Sequence, residues 1–255
     1  MLPVHMEHTM FVKTDGIVLR TVDYQDSDRL LTVFSRDLGK LSVRARGVRG
    51  NRNANRAACQ LFAFSEFTLR EYQGRYQLSE SVLKESFHEL QLDLERLSLA
   101  SYFAQVVETV ALENDPLPEL LSLLLNSLFA LSKLTLSQEL VKAVFELRLA
   151  CAAGFAPDLR GCVVCGNTQP DRLNISQGVL QCATCSGEEG IRMPLTPSVL
   201  AAMRYIEQAD PKKLFSFRLP EDGMRQLGEL TESYLATRLE RGFSTLDLYK
   251  SLRID

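Results

Sequence analysis

"GKLSVRARGVRGNRNANR" (residues 39–56) carries six basic side chains, Lys40, Arg44, Arg46, Arg49, Arg52 and Arg56, and no acidic one. Its first half alternates. Leu41, Val43 and Ala45 fall on one side of an extended chain, and Ser42, Arg44 and Arg46 on the other. That is the pattern of a strand with one face buried and one face wet. The second half is rich in Gly and Asn and reads as a loop. Taken alone, the basic run is open to three readings: a solvated surface loop, a disordered arm, or a site for something negatively charged.

The flanking sequence sets this strand in a sheet. "GIVLRTV", "RLLTVFS", "LFAFSEFTLREY" and "RYQLSESVLKESF" have strand composition, with turns at "YQDSD" (24–28), "DLG" (37–39) and "QG" (73–74). Five strands within about 75 residues, with no helical period among them, suit a small closed barrel such as an OB-fold. From about residue 87 the period changes. Leu90, Leu94 and Leu97, then Phe103, Val106, Val107, Val110 and Ala111, recur at helical spacing, and "ENDPLP" (113–118) interrupts them. Helices are expected at about 118–133 and 137–152, with Gly154 as a stop. Thr196 or Ser198 is a candidate N-cap with Pro197 in the first turn, a long helix runs from about Glu221 to Arg241, and "STLDLYKSL" closes the chain. The leucine stripes read as core. The expected fold class is α+β: an OB-fold β-barrel over 1–86, then a helical domain over 87–158 and 193–255 interrupted by a cysteine module over 159–192.

Charge follows this division. The chain of 255 residues is 45% hydrophobic and 24% charged, with a formal net charge of -3. Residues 1–80 hold twelve Lys/Arg against nine Asp/Glu, net +3, and residues 81–255 hold seventeen against twenty-three, net -6. Opposite signs in the two parts favour a local polyanion site over general basicity. The first residues, up to Met6 or Met10, are read as an early start of the chain, show no secretory pattern and carry no fold assignment. The most apolar run, "LPELLSLLLNSLFALSKL" (117–134), contains Glu119, Asn126 and Lys133 and reads as a buried helix rather than a membrane span.

"CVVC" (162–165) and "CATC" (182–185) stand sixteen residues apart, the spacing of two zinc knuckles. Gly166 after the first pair and Ser186-Gly187 after the second suit the knuckle turns, and "GVLQC" can return as a strand. Cys162, Cys165, Cys182 and Cys185 would fill a tetrahedron about one Zn²⁺ and leave no position for water, so the ion is structural. Its binding would stabilise the module by roughly 10–16 kcal/mol. Disulfides fit poorly, because no secretory pattern accompanies them. Cys151 reads as a buried hydrophobe, and neither it nor Cys59 is given a role.

No catalytic device is legible. Of three histidines, His5 and His8 lie at the start, and His88 sits at a strand-to-helix junction where surface or capping roles prevail. There is no Walker A run and no Gly-x-Gly-x-x-Gly after a strand. Asp23, Asp26 and Asp28 lack the glycine and distal Glu of a calcium loop and read as an acidic turn. In a barrel, however, Arg44 and Arg46 on a strand with Arg49, Arg52 and Arg56 in the next loop make a wall that can track a phosphate backbone. Phe62, Phe64, Phe67, Tyr72 and Tyr76 alternate nearby. Some must be core, and the outward ones can stack on bases.

The stretch "TDGIVLRTVDYQDSDRLLTVFSRDLGKLSVRARGVR" resembles the N-terminal signature of the bacterial recombination-mediator family RecO: a "GIVL" strand, a Y-x-(E/D)-x-D-(K/R) strand, then GK-(L/I) and A-(K/R)-G-(V/A)-(R/K). "ELRLACAAGFAPDLRGCVVCG" is similar to that family's "LRLLxxxG" region, with the cysteine insert following as in zinc-bearing members. The resemblance covers about 11–250. It implies an OB-fold, a helical domain and a zinc module. It implies binding of single- and double-stranded DNA, annealing of complementary strands, and help in loading RecA at single-stranded gaps. It implies RecR and the C-terminal tail of single-stranded DNA-binding protein as partners, RecA indirectly, no membrane, a cytoplasmic, nucleoid-associated location, and no enzymatic activity. The matched basic positions are Lys40, Arg44, Arg46 and Arg49, while Arg52 and Arg56 fall in a variable loop. An RNA- or ribosome-associated OB-fold and zinc-ribbon protein is a second reading, and a zinc-dependent or thiol enzyme a third.

Overall fold

In the computed structural model, which describes residues 10–185, 187 and 190–253, the alternating stretch is strand β3 (Gly39–Ala45). Leu41, Val43 and Ala45 are buried, Arg44 is half-buried, and Ser42 and Arg46 are exposed. β3 is one stave of a closed barrel with β1 (Met10–Tyr24), β2 (Asp28–Ser35), β4 (Phe64–Tyr72) and β5 (Arg75–Glu85). The order β1-β2-β3-β5-β4, with β3 and β5 parallel, is the expected OB-fold. The long β1 pairs with β4 through its first half and with β2 through its second. A register shift between Val18 and Arg20 supplies the bend that closure needs. Val18, Leu31, Val33, Val43, Phe67 and Leu69 fill the interior, each contributing about 1.5–3 kcal/mol by burial. Gly39 has φ +65°, and a Cβ there would stand 2.6 Å from the Asp115 carbonyl, so a larger residue could not sit at this crossing.

The leucine period after the barrel is not one helix. Residues His88–Leu92 form a 3-10 turn, and α1 (Leu94–Val110) begins after Asp93, whose carboxylate accepts from the Arg96 amide at 3.1 Å. This N-cap rotates the pattern: Leu90 is buried, but Leu94 is 58% exposed and is not core. The chain forms two compact units, one ending at Leu121 and the other beginning at Ser122, and α2 (Pro118–Lys133) spans that boundary.

In the second unit α3 (Gln138–Ala152) packs on α5 (Glu221–Leu239), and α4 (Pro197–Gln208) packs on both. Helix α6 (Ser244–Ser251) follows. Thr196 precedes α4 as expected, but its hydroxyl bonds Gln226 of α5 at 2.8 Å instead of capping its own helix. Inside the α3–α5 contact, buried Lys142 pairs with Glu146 at 3.0 Å and Glu232 at 2.9 Å, and Thr231 donates to Glu146 at 2.8 Å. Burial pulls the Lys142 ammonium down, and the Glu146 and Glu232 carboxylates outweigh it, so its pKa ends above the ordinary value.

Between α3 and α4 the cysteine segment is a small sheet. It comprises β6 (Asp158–Cys162), β7 (Arg172–Asn174), β8 (Val179–Gln181) and β9 (Arg192–Pro194), in the order β6-β8-β7-β9. Sequence pattern foresaw only β8. Leu159, Leu173, Ile175 and Leu180 are buried, an apolar core too sparse along the chain to register as a period. Among the described residues no helix is long and apolar enough to cross a membrane. His5, His8 and Ser186 lie outside the described residues.

Candidate nucleic-acid interface and metal centre

The barrel's register builds one outer wall. Leu30 of β2 lies opposite Arg44 of β3, Arg44 opposite Gln77 of β5, and Gln77 opposite Arg70 of β4. Cross-strand partners share a face, so these four form a row across the wall. Around the row opens a cavity of about 630 Å³, lined by Arg44, Arg46, Arg70 and Arg75 with Tyr24, Tyr72 and Tyr76.

The arginines are not equivalent. Arg44 donates from Nε and Nη2 to Asp28 at 2.9 and 2.8 Å, and from Nη2 to Gln25 at 2.7 Å. Its guanidinium lies 5.1 Å from the centre of the Tyr24 ring. Asp28 also accepts from the Gly47 amide at 2.9 Å. That amide, and then Arg44, hold the Asp28 carboxyl below its ordinary range. Asp23 likewise pairs with Arg29 at 3.0 Å and Arg49 at 3.4 Å. The acidic turn is thus the tether of the basic stretch, fixing its side chains and neutralising part of its charge.

The metal centre lies in the second unit. Sγ atoms of Cys162, Cys165, Cys182 and Cys185 lie within 4.8 Å of one another, and those of Cys165 and Cys182 are 3.8 Å apart. A tetrahedral ion with metal–sulfur bonds of about 2.3 Å needs sulfurs about 3.8 Å apart, so the donor set fits one ion. Gly166, at φ +75°, turns the first knuckle and donates to the Cys162 carbonyl at 2.8 Å. The Cys165 amide, followed by that of Cys182, favours the Cys162 thiolate and brings its pKa down to about 6. Asn167 donates to the Cys182 sulfur at 3.3 Å. Bonding to the Cys165 sulfur pushes Cys185 up to about 11, the conflict expected of four crowded thiols, which a cation relieves.

Two family models match the chain: "Recombination protein O N terminal" over residues 10–87 and "Recombination protein O C terminal" over residues 91–247. The DNA repair protein RecO of Acetivibrio thermocellus is 36% identical over 245 residues, covering 95% of this chain and 97% of that protein. Its namesake from Alkaliphilus metalliredigens is 29% identical over 246 residues, 95% and 100% of the two chains. The chain belongs to the RecO family.

In this RecO chain the expected basic residues divide. Arg44 and Arg46 line the wall cavity. Exposed Arg49, in the loop after β3, is bonded to the Gln25 and Asp26 carbonyls at 3.4 and 3.3 Å, and Arg52 is exposed in the same loop. Arg56 instead bonds Asn51 and lines a separate cavity of about 500 Å³ with Arg29 and Gln91. Lys40, at the far end of β3, donates to the Glu108 carbonyl in the last turn of α1 at 2.8 Å. Of the aromatics, Phe62 and Phe67 are fully buried, while Tyr72 and Tyr76 reach the cavity. Sequence reasoning missed Tyr24, Arg70 and Arg75. The parallel β3–β5 pairing that closes the barrel brings Arg70 and Arg75 beside Arg44, and the β1–β2 pairing of Tyr24 with Asp28, which Arg44 bonds, brings Tyr24 there.

Sequence reasoning also missed two clamps on the cysteine module. Arg204 of α4 donates to the Leu159 and Thr168 carbonyls, both at 2.8 Å, and Arg238 of α5 to those of Ile175 and Ser176 at 2.9 and 3.1 Å. They satisfy the carbonyl of Leu159 in β6 and those of the loops on either side of β7.

Proposed function

We propose that this member of the RecO family is a DNA repair protein of the recombination pathway. It binds single- and double-stranded DNA on the outer wall of its barrel, anneals complementary strands and helps load RecA at single-stranded gaps. The supporting observation is the row that puts Arg44, Arg70 and their neighbours Arg46 and Arg75 around one cavity. Arg49 and Arg52, exposed in the loop after β3, add positive charge to the stretch, and Lys40 and Arg56 are proposed as further phosphate contacts outside this cavity. Neutralising phosphates releases counterions, so affinity falls with salt at a slope of about -0.7 per phosphate on single strands. Strands held without sequence-specific base contacts are free to find their complements, so annealing is an encounter effect without nucleotide hydrolysis, and the protein acts as a binder and adaptor rather than an enzyme. Its protein partners are RecR and the C-terminal tail of single-stranded DNA-binding protein, and it works in the cytoplasm at the nucleoid. Zn²⁺ in the four-thiolate site is structural, because no position remains for water or substrate.

The test is fluorescence anisotropy of a labelled oligothymidine across a salt series, with annealing of bare complementary DNA followed in parallel. Changing Arg46, Arg70 and Arg75 together to Ala lowers affinity more than tenfold and reduces the salt slope by about 2, since three phosphates are then left to their counterions. Unchanged binding in a folded variant would refute the wall as the site. Annealing confined to RNA would favour the RNA-associated reading.

A further inference from the structure

Charge alone does not account for the wall. Of the arginines around the cavity, Arg44 is the worst placed to hold a phosphate. Three of its hydrogen bonds go to Asp28 and Gln25, and its charge faces a carboxylate. What those bonds do is hold a flat guanidinium still, over the ring of Tyr24 at 5.1 Å. Tyr24 itself is 39% exposed, an aromatic ring left open at the end of β1 beside its paired residue Asp28. Tyr72 and Tyr76 bring two more rings to the same cavity, and Arg46 and Arg75 stand exposed around it. Its volume of about 630 Å³ lies within the range of about 300–1,000 Å³ typical of small-ligand sites. Duplex DNA offers phosphates but hides the faces of its bases, whereas an unpaired strand offers both.

We infer that the Tyr24–Arg44 platform takes one unpaired nucleobase, stacked flat in this cavity while exposed arginines hold the flanking phosphates. The inference rests on the DNA-binding reading above and adds to it a basis for preferring single strands to duplex. Asp28 and Gln25 act through Arg44 and are positioning residues.

The test uses three ligands of equal length: oligothymidine, an abasic oligonucleotide with the same phosphates, and duplex DNA. The full chain binds oligothymidine at least about tenfold tighter than the abasic strand, the worth of one stacked base. Tyr24→Ala abolishes that difference, whereas Tyr24→Phe keeps it. The chain has no tryptophan, so Tyr24→Trp gives a direct signal: oligothymidine quenches the new emission and the abasic strand does not. Equal binding of oligothymidine and abasic strands by wild type, with no selective quenching, overturns the base site and leaves the phosphate-tracking wall standing. A wild type that binds none of the three at low salt overturns the DNA reading and the base site with it.

Discussion

The barrel and the cysteine module are both small sheets, and they stand up for opposite reasons. Barrel strands run from seven to fifteen residues, each paired on both sides around an apolar interior. Module strands run from three to five residues, and β6 and β9 remain edges. Strands that short, in so few residues, do not hold themselves together and need staples. Here the staples are four convergent thiols and two arginines borrowed from α4 and α5. Stability is distributed in one sheet and concentrated at a point in the other.

The largest effect that could break this contrast is removal of the metal. Stripping the ion forfeits a binding free energy of roughly 10–16 kcal/mol, so amides of residues 158–194 lose their protection in hydrogen exchange. The barrel amides keep theirs, and oligothymidine binding is unaltered. Protection of the module in the stripped protein would show that buried Leu159, Leu173, Ile175 and Leu180 suffice and that the thiols are not its support. A smaller, complementary effect belongs to the barrel. Phe67 is fully buried at its centre, and Phe67→Ala costs about 3–5 kcal/mol. Urea unfolding of the barrel shifts by that amount equally with and without chelator, and a chelator-dependent shift would deny the barrel its independence.

The same contrast explains what the sequence let one read. The barrel strands are long enough for Leu41, Val43 and Ala45 to declare a face, and "ENDPLP" and Gly154 bound the helices where α2 and α3 lie. The four cysteines were legible from spacing alone, because thiolate geometry constrains spacing directly. Three-residue strands show no period, so β6, β7 and β9 were invisible. Leu94 was misplaced because Asp93 restarts the helix in the middle of an apparent leucine stripe. The candidate site was half legible. Arg44 and Arg46 follow from alternation within one strand. Arg70 and Arg75 depend on which strands become neighbours, and β3 meets β5 only when the barrel closes, whereas Tyr24 sits at the β1–β2 turn beside Asp28, the residue that Arg44 bonds. The ties from Asp23 and Asp28 to the arginines were open to charge reasoning, since an acidic and a basic segment flank one hairpin, β2–β3.

The smallest effect is a pH dependence, and it separates the two sheets most finely. The Asp28 carboxyl, ordinarily near 3.8, is lowered by the Gly47 amide and by Arg44. The folded barrel therefore holds this proton less tightly than the unfolded chain. Its contribution is complete above the unfolded value and drains away as pH falls through the lower, folded one. The urea midpoint of the barrel is flat from pH 7 down to about 5 and declines only in acid below about 4. In Asp28→Asn the midpoint is lower at pH 7, and the gap to wild type narrows in the same acid range. A gap that persists unchanged below that range would mean the charge of Asp28 contributes nothing and the variant suffers from altered packing. The module behaves otherwise, because protons compete with the metal for the thiolates. On slow acidification it opens while Asp28 is still ionised, so exchange protection disappears first from residues 158–194 and later from the barrel. Simultaneous loss would mean that the two sheets share one source of stability, and the contrast between packing and point support would fail.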